Sequence, residues 1–333
     1  MYISPVNFQQ HNYSTAVNIK ATSLNNLSFE AAKYLNSVTF NKNICFTSSS
    51  SRARTNFVSK DEKAKYKDLL SILDKDSKRN LNSMLKSGVL LNSNSNDNST
   101  VLDNLYNMAM MPRANGLDRK SLLSSTITAL ANPYTITQLF GNIPSGYQKR
   151  AINLYLNDHK ELTPTNLIHQ KLAQYNVNIN HSGTCVEASI EFNLAKQAPA
   201  EFARFAEGLS SHKMSVNKTI SLKNLADNTL DAVWLLNAFE IPFEAKDFNK
   251  AKLTFRPDKN AIFRANLQTI DREPLERSVI DVLMQSTFMQ TGSQQSYDTL
   301  TDKRKGKFNQ NDKGLIEFEK TFTESVVEDK NKI

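Results

Sequence analysis

The chain has 333 residues, of which 39% are hydrophobic; its net charge is +8 and its pI about 9.2. No uninterrupted apolar stretch reaches the ~18 residues of a spanning helix, and the start, Met1 to Lys20, lacks a basic segment followed by an apolar one, so neither a membrane span nor a cleaved secretory signal is expected. Residues 1–60 carry +5 of the +8, so the remainder is close to neutral and has no basic, aromatic-interleaved stripe, which argues against a nucleic-acid partner.

Residues 1–60 are rich in Asn, Ser and Thr with no sustained periodicity, and "FTSSSSRARTN" is of low complexity. A disordered basic tail is expected there. From 61 to 160 the pattern is helical. Tyr66, Leu69, Leu70 and Leu73 share one helical face, and Leu81, Met84 and Leu85 another, with Gly88 as a stop. This predicts a helical hairpin. "NSNSNDNST" reads as a linker, "TVLDNLYNMAMM" and "DRKSLLSSTITALANP" as two helices, the second ended by Pro133, and a further short helix fits 146–156.

Residues 161–333 form the third expected region. "PAEFARFAEGLSS" predicts a helix burying Phe202, Phe205, Ala206 and Leu209, and "NTLDAVWLLNAFEIP" a helix stopped by Pro242. "KAKLTFRPDKNAIFRANLQ" reads as a β-hairpin turning at Pro-Asp-Lys-Asn. "EPLERSVIDVLMQSTFM" predicts a helix with Pro274 in its first turn, and "GLIEFEKTFTESVV" a last one. "QTGSQQSYDTLTDKR" between them is a polar loop that could face a substrate. The fold class is therefore α+β, mostly helical, with a small antiparallel sheet or hairpin.

The chemistry concentrates in "HSGTCVEASIEFNLAK", residues 181–196. A helix starting near Thr184 puts Cys185, Ser189, Phe192 and Ala195 on one face and Val186, Ile190 and Leu194 on an adjacent one. Glu187 and Glu191, four apart, read as an exposed polar stripe. Ser182 or Thr184 can cap the helix and Gly183 permits a tight approach. A thiol at a helix N-terminus meets the positive end of the dipole and unpaired N–H groups, which favour thiolate and can hold an oxyanion. A buried structural thiol is the competing reading.

Gly183-Thr184-Cys185 followed by Val186-Glu187-Ala188-Ser189 resembles the nucleophile segment of papain-like cysteine peptidases. The resemblance covers residues 181–196 and implies a papain-like central helix, a Cys185 nucleophile and an oxyanion-holding amide upstream. That family uses Gln there; here Asn178 and Asn180 stand instead, and Asn180 is the nearer. It also implies a His base on a downstream strand, but the only His after Cys185 is His212, in "LSSHKMSV", expected in a loop. His169 and His181 lie upstream. The expected function is a thiol hydrolase acting on a protein or peptide substrate, cleaving peptide or isopeptide bonds. It is expected to be catalytically incomplete, with the base beyond Ile333 or in another polypeptide. The alternative is a non-catalytic interaction or effector module. Cys45 and Cys185 are read as free thiols, and no zinc-ligand spacing, dinucleotide fingerprint or phosphate loop is present, so no cofactor is expected. No membrane partner is expected, the location is cytoplasmic or reached without a cleaved signal, and the oligomeric state is left open.

Overall fold

The computed structural model describes residues 53–138, 182–269 and 277–330. Two helices open it, α1 (Lys60–Ile72) and α2 (Lys75–Ser87), as the hairpin pattern predicts. Ser59 caps α1 by accepting the Glu62 N–H, and Asp74 caps α2 through the Asp76 and Ser77 N–H groups. Gly88 ends α2 at φ +82°, a left-handed position where a side chain is strained, and a Cβ there would lie 2.6 Å from that of Ala53. Residues 53–59, expected in the tail, are instead part of the fold, and the rest of the expected tail lies outside the described residues. Residues 53–59 lie against the hairpin, with Arg54 paired to Glu62 at 2.7 Å and the Phe57 and Tyr66 rings 5.1 Å apart.

The segment read as a linker is pinned instead. Asn96 donates its amide to the Thr219 carbonyl (2.7 Å) and accepts the Thr219 N–H (2.8 Å), so its side chain imitates a strand partner at the edge of the sheet. Its own N–H reaches Glu201 at 2.9 Å. α3 (Val101–Met110) then starts at a Thr100–Asp103 capping box, and α4 (Arg119–Ala131) at Asp118. Pro133 begins a 3-10 turn, Pro133–Gln138. The expected helix at 146–156 lies outside the described residues.

Two helices follow with only Ala198 between them, α5 (Cys185–Gln197) and α6 (Pro199–Ser210). Pro199 occupies a first-turn position of α6, where its missing N–H removes no helical bond. β1 (Val216–Ser221), α7 (Thr229–Ala238), β2 (Phe243–Ala245) and β3 (Lys250–Phe255) come next. The sheet is antiparallel in the order β1-β3-β2, with Leu253 of β3 opposite both Lys218 and Phe243. α8 (Ala261–Thr269), α9 (Val279–Gly292) and α10 (Glu317–Glu328) complete the chain.

The fold is α+β, mostly helical, with this small antiparallel sheet. The hairpin expected over 250–268 is only half right. Its first arm is β3, but its partners are β1 and β2, and the second arm is α8. Asp258 explains the difference: its carboxylate accepts the Asn260 N–H (2.9 Å) and its carbonyl the Ala261 N–H (3.2 Å), a helix-starting turn rather than a strand reversal. α9 starts later than expected, at Val279, behind a Ser278–Asp281 capping box.

One hydrophobic core runs from Leu69 to Val327 and takes residues from both sides of position 160. The most enclosed element is α9, all 14 of whose residues are buried. Phe205 of α6 meets Phe288 of α9 and Phe255 of β3 at ring distances of 5.9 and 5.4 Å. Glu201, buried on α6, is held ionised despite its burial by a two-pronged pair with Arg204 (both 2.7 Å) and by Lys218 at 3.3 Å. No helix among the described residues is long and apolar enough to cross a membrane.

Candidate functional site

α5 begins at Cys185, as the sequence predicts, so the cysteine is the first residue of the helix. It is a free and exposed thiol. The face it shares with Ser189 is the solvent face, not a buried one; Ser189 is exposed and its hydroxyl donates to the Cys185 carbonyl at 3.0 Å. The buried-thiol reading therefore does not hold for Cys185.

The approach to the cysteine is tightly fixed. The Gly183 N–H donates to Asp302 Oδ2 at 2.8 Å. A Cβ on Gly183 would lie 2.7 Å from Lys313 Cβ and 3.0 Å from the Gly314 nitrogen, so only glycine lets the two chain segments approach. Thr184 stands at the cap position without capping. Its hydroxyl is instead buried, donating to Gln285 Oε1 (2.8 Å) and sharing a hydrogen bond with Ser182 (2.8 Å). The first-turn N–H groups of α5 consequently receive no side-chain cap from Thr184, and they sit beside the exposed thiol.

Behind this start lies a polar interior that the sequence reading misplaced. Glu187 and Glu191 are not an exposed stripe; both are fully buried. Neither oxygen of Glu187 has a hydrogen-bond partner. Burial pushes its carboxyl up to about 8, opposed by its own backbone N–H and then by the Arg304 guanidinium, and reinforced by the Asp302 and Glu319 carboxylates. A neutral carboxyl at this position resolves the apparent contradiction: the charge that would forbid burial is absent at neutral pH. Arg304 itself pairs with Glu319 and donates to the Gly314 and Asn309 carbonyls, each at 3.0 Å.

One turn on, Glu191 Oε2 accepts from Gln285 Nε2 at 3.1 Å. Burial and then the adjacent Asp281 carboxyl raise its pKa well above the carboxylate range, while Gln285 and Arg277 oppose the shift. Two carboxyl groups this close in a dry interior share protons rather than carry two charges. Arg277, also buried, lies with Nη1 3.3 Å from Gln285 Oε1 and 3.5 Å from Thr184 Oγ1. Tyr297 completes the group by donating its hydroxyl to Asp302 Oδ1 at 2.9 Å.

Asp302, Arg304 and Tyr297 come from the polar loop after α9, and Gln285 and Asp281 from α9 itself. Sequence reasoning noted the loop but could not connect it to Gly183. A usable signal was the polar content of α9, where Asp281, Gln285, Ser286, Thr287, Gln290 and Thr291 interrupt an apolar run on several faces. His212 sits in an exposed turn after α6, and no hydrogen bond joins it to Cys185. Asn180, His169, His181 and Cys45 lie outside the described residues. Among the described residues no three His, Cys, Asp or Glu side chains are arranged to hold a metal ion.

No protein-family model, curated protein or solved structure matches this chain.

Proposed function

We propose that the site around Cys185 is a thiol centre of the acyl-transfer type, acting on a peptide or isopeptide carbonyl. The observation that supports it is the exposed thiol at the first residue of α5, beside first-turn N–H groups that Thr184 leaves uncapped. In this reading Sγ of Cys185 attacks the carbonyl carbon, and the carbonyl oxygen gathers negative charge against the Cys185 N–H, with Asn180 as the second donor. Collapse forms a thioester and expels the amine, which takes up a proton, and water then releases the acid. The proton donor and acceptor for these steps is a base outside the described residues or in another polypeptide. General acid–base assistance is worth about 10²–10⁴ in rate, so this chain alone would turn over slowly if the base lies in another polypeptide.

The test is the alkylation rate of Cys185 by iodoacetamide at pH 6, where an ordinary thiol with pKa about 8.5 is less than about 1% thiolate. A rate about tenfold or more above that of the urea-unfolded chain is expected. Equal rates would remove the reading. The second reading, a non-catalytic interaction or effector module, is favoured by the position of His212, exposed and without a hydrogen bond to Cys185. Peptide cleavage abolished by His212→Ala would refute that reading and make His212 the base.

A further inference from the structure

The loop between α9 and α10 closes over the start of α5 like a strap. Three sets of contacts hold it. Asp302 accepts the Gly183 N–H at 2.8 Å and the Tyr297 hydroxyl at 2.9 Å. Arg304 ties the loop to Glu319 of α10 and to its own carbonyls at 309 and 314. Met289, Tyr297 and Leu315 form a small apolar cluster that touches Val186. The loop also holds three non-glycine residues in the left-handed region, Gln294 (φ 50°), Gln295 (φ 57°) and Asp302 (φ 51°). Such conformations are disfavoured for L-residues, so the closed form depends on its contacts.

Beneath the strap lies Glu187, buried and with both carboxyl oxygens lacking a hydrogen-bond partner. The charged groups around it are Asp302 and Arg304 of the loop and Glu319 of α10. Two further buried guanidiniums, Arg277 just before α9 and Arg264 of α8, act on Asp302, and the remaining charges of the elements packed on α5 lie elsewhere. Asp281 of α9 faces Glu191, and Glu201 and Arg204 of α6 pair with each other. Arg119 and Lys120 of α4 are exposed, and the 3-10 turn offers only Tyr134, whose ring meets Phe192 at 5.3 Å. On α5 itself, Lys196 is exposed at the far end, over the Tyr134 and Phe192 rings.

We propose that Glu187 is the trigger of a proton-controlled strap: the loop 297–316 stays closed over the start of α5 while Glu187 is neutral, and lifts when Glu187 ionises. An ionised Glu187 would be a buried carboxylate with no hydrogen-bond partner on either oxygen, beside the Asp302 and Glu319 carboxyls, because Arg304 is already paired with Glu319 and the Arg277 and Arg264 guanidiniums act on Asp302. Lifting the loop removes Asp302 and Arg304 together and lets water reach Glu187. This holds whether or not Cys185 is a nucleophile; its consequence for that site is that the Gly183–Asp302 bond is made only in the closed form.

The sign follows from the two states. Closed, the Glu187 carboxyl titrates near 8; open, it returns to the ordinary 4.5. Between those values the open state binds fewer protons, so opening becomes about tenfold more favourable per pH unit, and the effect levels off above the closed-state value. The experiment is hydrogen exchange read by mass spectrometry on the full chain, expressed as protection factors to remove the intrinsic pH effect. Protection across 298–316 should fall about tenfold or more from pH 5.5 to 8.5, while α3, α4 and α6 hold theirs. Glu187→Gln, which keeps the shape and cannot ionise, should abolish the fall. Three results would overturn the proposal: constant protection of the loop in the wild type, an equal fall in every element, or a fall that persists in Glu187→Gln. The first two need only the wild-type protein and decide the matter even if the variant does not fold.

Discussion

At Gly183 a single hydrogen atom decides whether two chain segments fit. A methyl group there would press on Lys313 Cβ at 2.7 Å and on its carbonyl carbon at 2.9 Å, both attached to backbone that Arg304 holds. Gly183→Ala is therefore expected to destabilise the fold by about 1–3 kcal/mol, measured by urea unfolding. A loss under about 0.5 kcal/mol would mean that the 313–314 segment moves aside freely. Glu187 makes the complementary case, since its chemistry rather than its size is at issue. Raised to about 8 by burial, its carboxyl is bound to a proton in the native state over a range where the unfolded chain has lost it. Its contribution to stability is thus fully present below about pH 4.5 and declines as pH rises towards 8. Glu187→Gln should raise stability by up to about 4 kcal/mol at pH 7.5 and have little effect near pH 4.5. Thermal melts at the two pH values check this, and a difference of the same size at both would contradict the assignment.

Single elements carry separate lessons. α3 starts at a complete capping box, with Thr100 Oγ1 accepting the Asp103 N–H at 3.0 Å and Asp103 accepting the Thr100 N–H at 3.0 Å. Thr100→Ala should cost about 1 kcal/mol, read as a lower denaturation midpoint with an unchanged slope. α7 is the opposite kind of helix. It turns Leu230 and Trp234 outwards, 81% and 63% exposed, beside Phe248 at 85%, whose carbonyl accepts the Thr229 hydroxyl at 2.5 Å. Trp234 is the chain's one tryptophan, so its emission reports this face alone. Emission at the wavelength of free tryptophan, quenched readily by iodide, is expected; a blue-shifted, protected signal would show the face covered in solution. The sequence announces α7 by its apolar content but not its outward-facing side, because Leu230, Val233 and Trp234 mark one apolar stripe and Ala232, Leu236 and Phe239 another, and only the second is buried.

Across the described molecule, contacts bridge the expected boundary at 160. Arg113, after α3, pairs with Glu207 of α6 at 2.8 Å and donates to the Glu207 carbonyl at 2.8 Å, and the Ala114 N–H reaches the Ser210 carbonyl at 2.9 Å. Asn96 ties the segment before α3 to β1. A fragment spanning 161–333 would leave the α6 face bearing Phe202 and Phe205, both fully buried in the whole chain, without its α3 and α4 cover. It is expected to lack a cooperative thermal transition by circular dichroism, whereas the whole chain shows one. A sharp transition in the fragment would establish the boundary as a domain boundary after all.

What the sequence determines here is local. Helices α1 to α4, α6, α7 and α10 follow from caps, stops and apolar spacing, because those signals act within a few residues of one another. The start of α5 at Cys185 was legible for the same reason: Ser, Gly and Thr before an apolar run mark a helix beginning. The tertiary structure alone decided which face of α5 meets water. Two glutamates four apart ordinarily remain ionised and exposed, and nothing near them in sequence indicates otherwise. Glu187 is surrounded by Asp302, Arg304 and Glu319 and Glu191 by Asp281 and Gln285, all distant in sequence, and the burial of both depends on protons that no residue alphabet records. The second arm of the supposed hairpin failed in the same way. β3 could complete its hydrogen bonds with β1 and β2 from elsewhere in the chain, which left residues 261–269 free to satisfy their own backbone groups as a helix.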